Sequence, residues 1–349
     1  MAKASGALRR RVEAVAAICA QCGDDRSLRA RLLEELGREA AFDYHVWLLT
    51  DPATTVGSSP LASVPSSARV PQLIRARYLS PANRWSALDG VSTLRATSDG
   101  GGDPWHAELA IHRIGDVASL AFRDEYGFWA FLDLWRSGAR SRFAAEEVDR
   151  LRALLDPITE GLRRTLAETF ARAPSTAGRS GPAVLVLAPQ FDVRDQTADA
   201  AAHLRTLVPR DDGGPPVPAG AYNVAAQLLA VEAGIDEHPP SARVHLAEGT
   251  WVTLRAARVE GAAAPSERDI AVSIETCSPA ERRGLYASTH GLTARETELV
   301  DRLALGADTR TLAAHLHLSE HTVQDHLKAI FAKTRTRNRR TLLTRIAGA

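Results

Sequence analysis

A series of helix-start signals near the C-terminal end limits the fold of this 349-residue chain more than any other feature. A Ser, Thr, Asp or Asn just before an apolar-periodic segment can accept a hydrogen bond from a free N–H of the first helical turn. Such residues recur at Thr293, Asp308, Ser319 and Asn338. Glu296 completes a capping box with Thr293, and Gly306 supplies a left-handed residue where the first helix should end. Residues 291–349 are therefore predicted to form an all-α module of four helices.

The third of these helices has two faces of different chemistry. Val323, Leu327 and Ile330 recur at i, i+4 and i+7, which predicts a narrow buried seam. The opposite side carries His321, Gln324, Asp325, Lys328 and the small Ala332. Such a helix suits the major groove of duplex DNA, where Gln pairs with adenine, Lys with guanine and Asp with the cytosine amino group. The residues predicted to contact base edges are His321, Gln324, Asp325 and Lys328.

Basic residues surround that helix, although the whole chain has a net charge of only +1. Residues 291–349 contain ten Lys or Arg and six Asp or Glu, a net charge of +4, so the remainder carries −3. A basic surplus at one end is typical of a nucleic-acid module attached to a neutral sensor. The residues predicted to contact phosphates are Thr322, His326, Lys333, Arg335, Arg337, Arg339 and Arg340. His326 lies near the apolar seam, so packing or a phosphate bond is favoured over base contact.

The same segment resembles the C-terminal domain of LuxR-type regulators. The resemblance rests on residues 292–296, Gly306, Ala313-Ala314, Leu318-Ser319 and residues 322–327. It implies that the third helix enters the major groove, that the fourth often forms a dimer contact, and that Gln324, Asp325 and Lys328 occupy base-contacting positions. His317 and Arg335 stand where the family usually has glycine. Histidine tolerates left-handed backbone better than most residues, whereas Arg335 is harder to place.

The upstream chain is long enough for two further domains. Residues 1–173 resemble a GAF domain in the order of their predicted elements: a helix, an aromatic strand, a long excursion, paired strands and a closing helix. Residues 183–277 resemble a PAS-type sensor. Residues 174–182 and 278–290 are predicted linkers. The predicted fold is therefore multidomain: an α+β GAF-like domain, an α+β PAS-like domain and the four-helix module over residues 291–349. This order resembles an actinobacterial group of regulators.

Periodicity and turn residues predict the elements of the two sensor domains. Helices are predicted at 10–36 with a break at Gly23, at 146–172 with a break before Pro157, and at 199–207 and 222–232. Strands are predicted at 42–49, 117–122, 128–135, 184–187, 243–246, 251–256 and 269–275. Residues 58–71 and 211–218 are predicted loops, and no internal sequence repeat is visible.

The sequence indicates a cytoplasmic protein without a membrane partner. No apolar run approaches the roughly 20 residues that a spanning helix needs. Arg9 to Arg11 followed by an apolar stretch imitates a secretory signal, but Glu13 interrupts it, so an amphipathic helix is favoured. The cysteines are Cys19, Cys22 and Cys277, a sparse and odd number that argues for a reducing compartment.

Few residues outside the last module suggest chemistry. Cys19 and Cys22 form a CxxC that could act as a redox switch, although two small apolar residues on a helix are the favoured interpretation. Aromatic residues could line a pocket but are more often core: Trp47, Trp105, Trp129, Phe131 and Trp135. His45, His106 and His112 lack metal-ligand spacing, so no metal site, catalytic residue or cofactor is predicted.

The prediction is a sequence-specific DNA-binding transcription regulator, controlled by a small ligand or a redox signal through its sensor domains. Its predicted partners are double-stranded DNA, a second copy of the chain, a small-molecule effector and RNA polymerase. Two alternatives remain. The GAF-like domain could retain enzymatic activity on a small ligand, or the helical module could bind a protein in place of DNA.

Overall fold

Two antiparallel five-stranded sheets and a C-terminal group of helices make up the described part of the chain. The computed structural model describes residues 2–95, 102–138, 142–172, 181–207, 218–247, 249–261 and 264–348. Both sheets have the same order, in which the second strand of the unit is followed by the first, fifth, fourth and third. This shared topology leaves no repeat in the sequence, because a sheet order constrains burial patterns rather than residue identities.

The first sheet is built from strands within the first 137 residues. They are β1 (Tyr44–Thr50), β2 (Gly57–Ser63), β3 (Val91–Arg95), β4 (Ile114–Asp124) and β5 (Gly127–Ser137). β5 lies at the centre between β1 and β4, and both β4 and β5 are buried along almost their whole length. Strands buried on both faces need cover on both sides.

Helices provide that cover. They are α1 (Ala2–Gln21), α2 (Asp25–Glu39), α3 (Val70–Tyr78), α4 (Pro104–Ile111), α5 (Ala145–Arg152) and α6 (Leu155–Thr169). α6 packs on β4 and β5, and α1 and α2 pack on α6. α3 and α4 contact each other, and α4 also contacts β4. Trp47 belongs to the apolar cluster that includes α6, and Trp135 belongs to the one around α3 and α4.

The second sheet lies in residues 183–276. Its strands are β6 (Ala183–Leu187), β7 (Val193–Gln196), β8 (Ser241–Ala247), β9 (Thr250–Arg258) and β10 (Ile270–Thr276), and its helices are α7 (Ala198–Leu207) and α8 (Ala219–Glu232). α8 is buried on nearly every side, because it packs against β9 of its own sheet and against α3 and β2 of the first unit. A helix that is apolar all round is expected in such a position.

Two buried ion pairs also join the sheet-bearing units. Arg243 Nη2 lies 2.6 Å from Asp51 Oδ1, and Arg84 Nη2 lies 2.7 Å from Asp236 Oδ2. Gln227 of α8 accepts a further hydrogen bond of 2.8 Å from Arg84. The two units therefore share a polar junction as well as an apolar one.

Five helices form the C-terminal group. They are α9 (Pro279–Thr289), α10 (Ala294–Ala304), α11 (Thr309–Leu316), α12 (Glu320–Thr334) and α13 (Arg339–Ala347). α9 packs on α6, α10 and α13, so it connects this group to the first unit. Arg282 of α9 donates 2.9 and 2.8 Å hydrogen bonds to the carbonyls of Ile346 and Gly249.

Several predictions about elements need correction. Residues 58–71, predicted as a loop, contain most of β2, a short 3-10 helix (Ser67–Arg69) and the first two residues of α3. The helix near Pro157 breaks at residues 153–154, and proline occupies the first turn of α6, where its missing N–H is not needed. Residues 278–290, predicted as a linker, are mostly α9, which starts with a capping box of Ser278 and Glu281.

The remaining predicted strands and helices are confirmed to within a few residues, except that α1 begins at Ala2 rather than at residue 10. Four elements were not predicted: α3, α4, β3 and β7. Most of the predicted linker 174–182 and of the predicted loop 211–218 lies outside the described residues. None of the described helices combines the length and the apolar character needed to cross a membrane.

Candidate nucleic-acid interface

α12 is held in place by its apolar seam. Val323, Leu327 and Ile330 are at most 1% exposed, as their spacing predicted, and they pack against α10 and α11. Ser319 caps the helix by accepting a 3.0 Å hydrogen bond from the N–H of Thr322. The predicted caps Thr293, Asp308 and Asn338 are formed as well. The helix-turn-helix therefore presents one fixed side of α12 outward.

That outward side carries the residues predicted to contact bases. The side chains of His321 and Lys328 are 85% and 73% exposed, and that of Asp325 is 54% exposed. Gln324 is exposed too, and its Nε2 lies 3.4 Å from Thr309 Oγ1, a long hydrogen bond that can be given up. The structure thus brings all four residues together on one accessible face.

Asp325 is the centre of a small charge network on this face. Lys328 Nζ lies 3.0 Å from Asp325 Oδ1, and His321 Nε2 lies 3.6 Å from Oδ2. The hydrogen bond from Lys328 lowers the pKa of the Asp325 carboxyl below its ordinary value. Because the network is exposed, water competes with each contact, and the side chains can exchange it for base edges at little cost.

Both departures from glycine adopt left-handed backbone. His317 has φ 52° and ψ 44° at the end of α11, and Arg335 has φ 49° and ψ 41° at the end of α12. The Arg345 guanidinium donates to the carbonyl of Thr334 at 3.0 Å and so caps the last turn of α12. The turn and the helix exit therefore form without glycine.

The residues predicted to contact phosphates are placed unequally. Arg335, Arg337 and Arg340 are exposed, and His326 is half-buried beside the seam. The Thr322 hydroxyl bonds Ser319 Oγ at 2.8 Å, and the Arg339 guanidinium donates to Thr309 Oγ1. Thr309, which sequence reasoning missed, thus orients both Gln324 and Arg339, and no periodicity marks a residue at the start of a helix for that role.

Lys333, also predicted to contact phosphate, has partners inside the domain. Its Nζ donates to the Gly291 carbonyl at 3.0 Å and to Glu296 Oε2 at 2.7 Å. Although burial opposes it, the hydrogen bond from Lys333 helps to hold the pKa of Glu296 below its ordinary value. Lys333 ties α12 to α10, and this internal partner disfavours a phosphate contact.

The two cysteines of the CxxC lie inside the first unit. Cys19 is 2% and Cys22 is 8% exposed, and both thiols are free. Burial raises the pKa of Cys19 to about 11, which suppresses the reactive thiolate. These surroundings favour a packing role over a redox switch. Among the described residues, no three His, Cys, Asp or Glu side chains cluster as a metal site would require.

A cavity of about 290 Å³ lies between the first sheet, α3 and α8. Its walls are mainly apolar and include Leu61, Leu73, Ile74, Trp105, Phe131 and Trp135. Trp135 Nε1 and Asn223 Oδ1, both of residues that line it, are buried without a hydrogen-bond partner among the described residues. Sequence reasoning missed Asn223, because one polar residue in an apolar helix has no distinctive spacing.

Capped helices, a fixed turn and an exposed polar face on α12 define a helix-turn-helix module. Residues 290–346 match the family model described as bacterial regulatory proteins, luxR family. This segment is a LuxR-family domain, so the chain carries the DNA-binding domain of a transcription regulator. No curated protein matches the chain.

Solved structures of LuxR-type regulators show weak likeness to the chain. CepR2 of Burkholderia cenocepacia, an N-acylhomoserine lactone dependent factor, is 14% identical with a TM-score of 0.33, over 44% of this chain and 92% of its own. SdiA of Escherichia coli is 12% identical with a TM-score of 0.33, and the match covers 95% of this chain and 92% of SdiA. SdiA in complex with octanoyl-rac-glycerol is 13% identical with a TM-score of 0.32, and the match covers 99% of this chain and 93% of SdiA. These TM-scores are too low to establish a shared overall fold.

Proposed function

We propose that this protein regulates transcription in the cytoplasm by placing α12 in the major groove of a specific DNA site. The observation that carries the proposal is the exposure of His321, Gln324, Asp325 and Lys328 on one face, opposite a seam that is at most 1% exposed. Hydrogen-bonding side chains on a rigid helix are what direct contact with base edges requires. Arg337 and Arg340 are exposed beyond the end of α12 and would contact phosphates, which fix the position of the helix without selecting sequence.

The test compares affinity for a selected duplex with affinity for random DNA of the same length. Removal of the side chains in Gln324→Ala or Lys328→Ala should weaken specific binding by about 1–3 kcal/mol and leave random binding nearly unchanged. Arg337→Ala should weaken both alike and reduce the dependence of affinity on salt by about one released ion. Fluorescence anisotropy at several salt concentrations gives both quantities.

Arg75→Gln is the matched control, because it removes an exposed charge from α3 in the first unit. It should leave both affinities unchanged. Equal losses on specific and random DNA for Gln324→Ala would refute the assignment of base contacts. No duplex binding at low salt would favour a protein-binding role for the module instead.

We further propose that residues 1–173 and 183–277 are GAF-like and PAS-like sensor domains that respond to a small ligand. The paired sheets with helices on their faces support this assignment, and the cavity supplies a place for an effector. The apolar walls of the cavity suit the hydrocarbon portion of such an effector. The unpartnered Trp135 Nε1 would donate to an acceptor on the ligand, and Asn223 Oδ1 would accept from a donor.

Octanoyl-rac-glycerol is a suitable probe, because it combines an alkyl chain with ester acceptors and hydroxyl donors. Trp135→Phe keeps an aromatic side chain, although a smaller one, and removes the N–H, so binding should weaken about five- to tenfold. Trp47→Phe is the control, because Trp47 Nε1 is also buried without a partner but does not line the cavity. Equal effects of the two variants in calorimetric titration would exclude this site.

The proposed partners also include a second copy of the chain and RNA polymerase. Arg340, Thr344 and Ala347 leave one side of α13 exposed, which supports a dimer contact through that helix. Sedimentation of the protein with a two-site duplex should give two chains per duplex, and a strict single chain would refute the dimer.

A further inference from the structure

A basic cleft separates the first unit from the DNA-binding domain. It has a volume of about 350 Å³ and lies between α6 on one side and the ends of α9, α12 and α13 on the other. Five cationic residues line it: Arg163, Arg164, Lys333, Arg335 and Arg345. Glu160 and Glu168 are the acidic residues of its lining. The cleft as a whole therefore has five cations against two carboxylates, and the excess comes from the wall formed by the C-terminal helices, because the two arginines of α6 are matched by its two glutamates.

Two of the cations are already neutralised. Arg163 Nε lies 2.9 Å from Asp124 Oδ2, and Lys333 Nζ lies 2.7 Å from Glu296 Oε2. Arg164, Arg335 and Arg345 form no ion pair with any residue that the structure describes, Glu160 and Glu168 included. Arg164 Nη2 is buried and lacks a hydrogen-bond partner within the same part of the chain. A buried guanidinium nitrogen with no acceptor indicates a missing one.

The backbone conformation of Arg335 is a second, independent indication that the cleft binds an anion. It occupies a left-handed position, φ 49°, where glycine would be free of steric cost. DNA binding alone does not explain this choice, because the exposed Arg337 and Arg340 already supply charge close by. Arg335 lines the cleft together with Arg164, although the two residues belong to different units, so the residue in the strained position is one of the three cations without an ion pair.

His290, which is partly buried, also lines the cleft and adds no positive charge to it. Burial lowers the pKa of His290 to about 4, and the charges of Arg345, Arg163 and Arg335 act in the same direction. The imidazole is thereby kept neutral. Its Nδ1 lies 2.9 Å from the Tyr286 carbonyl, which leaves Nε2 as an acceptor rather than a further cation.

We propose that this cleft binds a small phosphorylated molecule that bridges Arg164 of the first unit and Arg335 and Arg345 of the DNA-binding domain. Guanidinium groups recognise phosphate through paired, charge-assisted hydrogen bonds. The volume is several times that of one phosphate group, so a pyrophosphate or a nucleotide fits better than a lone ion. The ligand would fix the DNA-binding domain against the sensor, because its contacts come from both sides.

The phosphates of a DNA duplex are the other candidate anion, and the geometry disfavours them. Arg163 and Arg164 belong to α6 of the first unit, and Arg164 Nη2 is shielded from solvent. A rigid duplex cannot enter a cleft between two packed units, whereas a small anion can. Arg335 is also eleven residues beyond Gln324 on α12, about 16 Å along a helix axis.

Calorimetric titration of the full chain without DNA tests the proposal independently of the DNA-binding function. The probes are inorganic phosphate, pyrophosphate and ADP at about 0.1 M salt, where weak surface attraction is screened. Pyrophosphate and ADP should bind one per chain and more tightly than phosphate. Arg335→Gly and Arg164→Gln should each weaken binding about tenfold, the effect of losing one charged hydrogen-bonding group.

Arg75→Gln is again the matched control and should change these affinities less than about twofold. Arg335→Gly keeps the left-handed turn, so lost binding there cannot be ascribed to misfolding; thermal unfolding checks this for both variants. Absence of saturable binding by any probe would overturn the proposal, as would binding that both variants retain. Variants that lose affinity for random duplex but not for the probes would assign these arginines to the DNA backbone and overturn it as well.

Discussion

Asp51 and Arg243 form a nearly buried, two-pronged ion pair that joins the two sheet-bearing units. Arg243 Nε and Nη2 each lie 2.6 Å from a carboxylate oxygen of Asp51, and the Arg243 backbone N–H lies 2.8 Å from Oδ2. Burial alone would raise the pKa of Asp51, but the hydrogen bonds and charge of Arg243 hold it below its ordinary value. Removal of one partner of such a pair leaves the other charge buried without a counter-charge, which lowers the free energy of unfolding.

Replacement of Asp51 should therefore destabilise the protein markedly. Asp51→Asn leaves the guanidinium of Arg243 buried without a counter-charge, and the free energy of unfolding should fall by about 3 kcal/mol. Asp149→Asn breaks the exposed pair with Arg152 and should cost less than about 1 kcal/mol. Urea denaturation measures both. Similar small losses would show that the junction does not depend on this pair.

Acid should destabilise the fold through two partly buried histidines. Burial lowers the pKa of both His245 and His290 to about 4, from an ordinary value near 6.5. Because the unfolded chain binds these protons first, stability should be full above pH 6.5 and decline as the pH falls toward 4. Each histidine should contribute about 2–3 kcal/mol to that decline.

Unfolding in urea at pH 7 and pH 4.5 measures this effect, with His290→Gln as the comparison. Gln cannot be protonated, so the variant should lose less stability than the wild type between the two values. Carboxyls with lowered pKa, such as Asp51, lose their contribution only at lower pH. Identical losses in both proteins would contradict the account of His290.

The thiols of Cys19 and Cys22 should be slow to react. Both are buried, and the pKa of Cys19 is raised to about 11, so a thiol reagent should label them only through local opening. The measurement compares labelling rates in native buffer and in urea. Fast native labelling, or a disulfide that changes DNA affinity, would restore the redox interpretation.

Glycine at the two left-handed positions should stabilise the DNA-binding domain. His317→Gly and Arg335→Gly remove the clash of a Cβ with the backbone at φ 52° and 49°, so each should raise stability by roughly 0.5–1 kcal/mol. Thermal unfolding at a single protein concentration tests this. Ala at either position retains the Cβ and should give no such gain. A loss of stability with glycine would mean that the side chains make contacts worth more than the strain.

Sequence alone predicted the C-terminal module best, because its signals are local. Caps at Thr293, Asp308, Ser319 and Asn338 depend on residues three positions away, and the seam of α12 lies within eight residues. Gly306 also has the left-handed backbone expected of it, with φ 91°. Local rules of this kind do not depend on the rest of the fold.

Features that depend on tertiary partners could not be predicted. β2 lies at the edge of its sheet, where Pro60 is tolerated, and its serines resemble a loop. Lys333 looks like any basic residue near DNA until Glu296 is placed beside it. The cavity and the basic cleft are each formed by two units that are distant in sequence. The spacing of residues along the chain therefore does not predict either of them.

The most direct test of base contact by α12 is parallel selection of DNA sites from a random pool with the wild-type protein and with Gln324→Ala. The selected sites should share one consensus, and the variant should lose its preference at a single base pair while the other positions keep theirs. Arg337→Ala should return the wild-type consensus with weaker binding throughout. An unchanged consensus for Gln324→Ala, or no consensus for the wild type, would contradict the account.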